Sequence, residues 1–121
     1  MARALLTNKT LRKLELEGNC LSIMTARVLA LALSKNKTLQ YLDLESNDLT
    51  HEGQKNGGVE ELINALSKNK TLLSLNVANN RLDAEIGRMF VDMLRVNETL
   101  IDFEFGFNNF RLEDVSLISE V

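Results

Sequence analysis

A chain of 121 residues holds one domain with a modest core, and its 45% apolar and 26% charged content is that of a globular protein. With 14 basic against 17 acidic side chains, a formal net charge of −3, it lacks the clustered positive charge that nucleic acid or an anionic membrane demands. Its single cysteine, Cys20, excludes an internal disulfide and a CxxC-type metal site, and no apolar run approaches the roughly 18 residues of a membrane span.

Residues 1–10 begin without a signal-peptide apolar core, so the expected setting is reducing and intracellular, the cytoplasm. They read as the end of a helix from a preceding unit. At 11–21, LRKLELEGNCL alternates Leu14 and Leu16 with Lys13, Glu15 and Glu17, the period of a short strand with one buried face. Asn19 stands where the chain turns away, and its amide can pair backbone groups that the turn leaves over. Ala26, Leu29, Ala30 and Leu33 then fall at i, i+3, i+4 and i+7, the stripe of a helix. The same order returns with LQYLDLESNDL (39–49) and the stripe Val59, Leu62, Ile63, Leu66. It returns again with LLSLNVANNRL (72–82) and the stripe Gly87, Phe90, Val91, Leu94, and last with LIDFEFGFNNF (100–110) before Val115 and Ile118.

Each unit follows NKT (8–10, 36–38, 69–71) or NET (97–99), so the units recur at 28, 33 and 28 residues. The repeats are therefore 11–38, 39–71 and 72–99, with a partial terminal repeat at 100–121 and 1–10 as the tail of an earlier one. All four strand segments fit L-x-x-L-x-L-x-x-N-x-L, with Val77, Phe103, Phe105 and Phe110 as apolar substitutes. On these residues the chain resembles the leucine-rich repeats of the ribonuclease-inhibitor type. The resemblance implies an α/β solenoid, with a parallel β-sheet on a concave face and α-helices on the convex one. NETLIDFEFGF in the last repeat is also similar to the C-terminal domain of tropomodulin and leiomodin, which implies an actin-cytoskeleton role as one alternative.

Two features depart from regularity. The second repeat carries five extra residues within THEGQKNGG (50–58), where Gly53, Gly57 and Gly58 predict an extended strand-to-helix loop. His51 lies there with no second histidine or cysteine to share a metal. The strand around 11–16 has no cap before it, which predicts a segment of a longer array; self-association through this open N-terminal edge is the alternative. The octapeptide ALSKNKTL occurs at 32–39 and 65–72, and its N-K-T, also a glycosylation motif, recurs with the repeat. The expectation is geometric: Asn36 and Asn69 adopt the left-handed conformation that ends a helix, and Thr38 and Thr71 open the next turn.

No Ser/His/Asp set, phosphate loop or His/Cys cluster occurs, so neither enzyme chemistry nor a cofactor or metal is expected. Function is sought instead in the residues that project between the buried leucines. These form rows across the strands: Lys13, Tyr41, Ser74, Asp102; then Glu15, Asp43, Asn76, Glu104; then Glu17, Glu45, Ala78, Gly106. Glu15, Glu17, Asp43 and Glu45 make an acidic patch, which suits a basic partner. Phe107 replaces Gly18, Ser46 and Asn79 of the other repeats and is expected to be exposed. The candidate protein-binding residues are thus Lys13, Glu15, Glu17, Tyr41, Asp43, Glu45, Asn76, Asp102, Glu104 and Phe107. The expected function is a non-enzymatic module that binds a basic protein, with no nucleic acid and no membrane; the alternative is a spacer or cap within a longer solenoid.

Overall fold

A computed structural model describes residues 2–51 and 53–120 of the chain; Glu52 of the predicted loop, Met1 and Val121 lie outside the described residues. Strands β1 (Lys13–Glu15), β2 (Tyr41–Asp43), β3 (Ser74–Asn76) and β4 (Asp102–Glu104) join in sequence order into one sheet. All neighbours are parallel, in the register Leu14, Leu42, Leu75, Phe103. The five inserted residues do not disturb it, because they fall after the strand. The ladder runs past the three-residue strands: Leu16 N donates to Asp43 O at 2.8 Å, and Leu44 N to Asn76 O at 2.8 Å.

Parallel strands cannot be closed by a tight turn, so each returns through a helix. Helices α1 (Ile23–Lys35), α2 (Gly57–Lys68), α3 (Ala84–Val96) and α4 (Leu112–Glu120) pack in that order, each on its neighbour, and a 3-10 helix (Ala2–Leu6) packs on α1. The core lies between sheet and helices. Leu42, Leu44, Leu75 and Val77 from the strand segments and Leu29, Leu33, Leu62, Leu66 and Phe90 from the helices are almost wholly buried. Each such side chain removed from water contributes roughly 1.5–3 kcal/mol.

Close approach of a neighbouring segment explains glycines that a helix interior would otherwise disfavour. A β-carbon on Gly58 would lie 2.7 Å from Ile23 O, and one on Gly87 would lie 2.8 Å from the Phe110 ring. Gly57 and Gly58 therefore belong to the first turn of α2, not to a flexible loop as expected from sequence. Among the described residues of the loop, Lys55 N donates to Thr50 O at 2.8 Å and Gln54 N to His51 O at 3.1 Å.

The expected left-handed helix ends do not form. Asn36 (φ −74°, ψ 133°) and Asn69 (φ −70°, ψ 134°) are extended. Their amides do the work instead. Asn36 Oδ1 accepts from Thr38 N and Leu39 N at 2.9 and 2.8 Å, and its Nδ2 donates to Leu5 O at 2.9 Å. Asn69 binds Thr71 N, Leu72 N and Leu33 O in the same way, and Asn97 binds Thr99 N, Leu100 N and Leu66 O. The N-x-T asparagine is thus a double clamp that closes its own turn and holds the repeat before it, so its role is geometric.

Candidate protein-interaction face

The strand pleat turns Leu14, Leu42, Leu75 and Phe103 to the core and sends their neighbours to the opposite face. Among the predicted residues, Lys13, Glu15, Glu17, Asp102, Glu104 and Phe107 are exposed, while Tyr41, Glu45 and Asn76 are half-buried. Asp43 departs from the expectation of a solvated carboxylate: it is only 7% exposed.

The reason is local. Asp43 Oδ1 accepts from Glu45 N at 2.9 Å, and Asn76 Oδ1 accepts from Ala78 N at 3.0 Å in the next repeat. Each closes a small turn with the N–H two residues on, the habit of Asp and Asn side chains. Asp43 and Asn76 therefore have a structural task besides any contact with a partner. Asn76 Nδ2 also donates to Glu45 Oε2 at 3.2 Å, which fixes the carboxylate over the third strand.

The structure draws the acidic patch more tightly than the rows suggest. One carboxylate oxygen from each of Glu17, Asp43 and Glu45 lies within 4.8 Å of the others. Glu15 stands apart, because Lys13 Nζ holds it at 3.1 Å and sits 4.7 Å above the Tyr41 ring. The hydrogen bond and charge of Glu15 hold the Lys13 ammonium above the usual lysine value of 10.5. Among the described residues no lysine or arginine forms an ion pair with Glu17, Asp43 or Glu45. Such a group can take one cationic group. Calcium uses roughly six to eight oxygens, so three carboxylates without a ligand loop make half a shell. Asp102 and Glu104 lie on the far edge of the sheet, where Ser74 Oγ donates to Asp102 Oδ2 at 3.2 Å.

The aromatic residues of the last repeat divide into two kinds. Phe103, Phe105 and Phe110 join Phe90 in a run of rings, with centroids 4.8 to 6.2 Å apart. They fill space beneath β4. Phe107 takes no part and is 87% exposed. Ala78 and Gly106, which continue the Glu17–Glu45 row with almost no side chain, stand in the predicted row but not among the predicted binding residues. Comparing side-chain size along that row would have revealed them. A cleft of about 270 Å³ runs between α2 and α3 over Ile63, Met89 and Met93, and one of about 360 Å³ follows the turns past Cys20, Ser46 and Asn79.

Comparison with known proteins agrees with this architecture. The profile of the Leucine Rich repeat family matches residues 7–22, 35–55 and 68–91. No curated protein matches the chain. Among solved structures, actin-binding site 2 of leiomodin-1 superposes with a TM-score of 0.84 at 24% identity, over 98% of this chain and 66% of that one. The Caenorhabditis elegans tropomodulin C-terminal domain superposes with a TM-score of 0.79 at 21% identity, over 98% of this chain and 71% of that one. The chain therefore spans about two thirds of those structures, and at such identities the likeness establishes the fold.

Proposed function

Because the chain belongs to the leucine-rich-repeat family, we propose that it is a non-enzymatic protein-interaction module, whose sheet face receives a basic protein partner in the cytoplasm. One observation carries this reading: the carboxylates of Glu17, Asp43 and Glu45 converge within 4.8 Å without an ion-pair partner among the described residues. Like charges held together on a rigid sheet repel one another, and a partner's lysine or arginine relieves that repulsion as it binds. Charge reversal at Glu15, Glu17 and Glu45 tests the face, with Asp43 spared because its carboxylate closes a turn. Salt-sensitive capture of basic partners from cell extract should be lost in the triple variant, and unchanged capture sinks the reading.

A second reading, contact with actin, is favoured by the fold likeness to leiomodin-1 actin-binding site 2. Co-sedimentation with filaments and filament-end depolymerisation assays measure it; absence of both effects removes it. A spacer role within a longer solenoid is the remaining alternative, and it predicts that neither assay responds.

A further inference from the structure

Phe107 is a residue that the fold does not need. Gly18, Ser46, Asn79 and Phe107 each lie three residues past their strand in the left-handed region, with φ of 68°, 56°, 53° and 55°. Glycine suits that backbone and asparagine tolerates it, whereas a large ring on it is disfavoured. Asn79 Nδ2 donates to Ser46 Oγ at 2.9 Å, so these side chains form a surface row, and Phe107 extends it. Its ring stays outside the Phe90, Phe103, Phe105 and Phe110 cluster and is 87% exposed. Backbone preference and apolar exposure both oppose phenylalanine here, which points outward for its use.

The neighbouring row supplies an approach to that ring. It runs Glu17, Glu45, Ala78, Gly106, so side-chain bulk falls away toward Phe107. Gly106 is not in the left-handed region, and a β-carbon built on it meets nothing within 4 Å. Neither backbone nor packing requires that glycine, and open space lies above it.

We propose that the face binds one amphipathic helix of a protein partner, with basic side chains over Glu17, Asp43 and Glu45 and an apolar patch on Phe107. This rests on the interaction-face reading above and names the partner's chemistry. The charge balance selects a basic helix: five carboxylates (Glu15, Glu17, Glu45, Asp102, Glu104) project from the face, with the largely buried Asp43 among them, against one ammonium, Lys13, already held by Glu15. Neighbouring strands lie about 4.8 Å apart, so the acidic group at β1 and β2 is about 10–14 Å from the end of β4. A helix rising about 1.5 Å per residue covers this in about seven to nine residues, and the seventh, two turns on, returns to the same helix face. The partner helix therefore carries a basic residue at i and an apolar one at i+7, and passes over Ala78 and Gly106.

The probe is a synthetic alanine-based helix of about 15 residues, with two arginines set two turns before two leucines on one face. Binding to the whole chain is followed by amide chemical shifts at low salt. Phe107→Gly, Gly106→Leu, and Glu17→Gln with Glu45→Gln should each weaken binding about tenfold or more. A control peptide with the leucines moved to the opposite face should bind as weakly. The urea midpoint of Phe107→Gly should equal or exceed that of the native chain. If Phe107→Gly binds the probe unchanged while the glutamine variant fails, the anchor is wrong and the acidic face stands. If the native chain does not bind the probe, both fall. A lowered urea midpoint for Phe107→Gly makes the ring a packing residue and overturns the anchor.

Discussion

The side-chain oxygen of Asn108 accepts from Asn80 N at 3.0 Å, yet the side-chain oxygen of Asn80 accepts from nothing, although Asn80 is fully buried. These asparagines clamp the turn of the repeat before them. Asn47 Oδ1 takes the N–H groups of Asn19 and Leu21 at 3.0 and 2.9 Å, and Asn108 Oδ1 takes those of Asn80 and Leu82, both at 3.0 Å. The clamp is missing on the turn at 47–49, from which the inserted loop departs.

Removal of the two amides should therefore differ in effect. Asn47→Ala strands two N–H donors and the buried carbonyl of Leu16, and should lose about 2–4 kcal/mol. Asn80→Ala strands no N–H donor; its chief loss is the bond to Leu44 O, about 1–2 kcal/mol. Urea unfolding of both variants measures this, and equal losses would mean that the Asn80 oxygen has a partner after all.

The extended backbone at Asn69 makes a second test. Were the residue a left-handed helix end, glycine would serve at least as well. Instead its amide closes the turn to Thr71 and Leu72 and holds Leu33 O. Asn69→Gly should cost about 2–4 kcal/mol in urea unfolding. A neutral result would favour the left-handed cap.

Gly87 and Phe110 form a matched pair. Gly87→Ala raises helix propensity by about 1 kcal/mol but drives a methyl into the Phe110 ring. A net loss of about 1–3 kcal/mol is expected. Alanine at 87 should hurt less once Phe110→Leu makes room, so a double-mutant cycle should show coupling above about 0.5 kcal/mol. Additive changes would separate the two residues.

The raised Lys13 pKa predicts a pH effect of definite sign. The Glu15 carboxylate favours the charged ammonium in the folded chain, so its contribution is complete below the unfolded value of 10.5 and disappears as pH rises through the folded value. The side chains are well exposed, so the effect on stability is small. Titration by NMR should find Lys13 above 10.5, returning toward it in Glu15→Gln. A Lys13 value indifferent to that substitution would show that another group sets it.

The strands and helices were legible because hydrophobic period is a local property: Leu14 and Leu16, or Leu62 and Leu66, need only their neighbours to declare a face. Only half of the role of Asn47 was legible in this way: its Nδ2 pairs Leu44 O and Glu45 O of its own turn, whereas its oxygen serves the preceding repeat. The helix start at Gly57 was not, because glycine announces a loop unless one knows that Ile23 O occupies the place of a β-carbon on Gly58. The backbone at Asn36 was missed because its amide bonds partly to Leu5, in the preceding segment.

Residue type and spacing were enough to read the repeat, the buried side of each strand, the acidic character of the other side and the exposure of Phe107. All of these follow from residue type and spacing along about 30 positions. The meeting of Glu17, Asp43 and Glu45 within 4.8 Å and the capture of Glu15 by Lys13 came from the fold. These are distances between repeats, set by sheet register and helix packing, and no local pattern contains them.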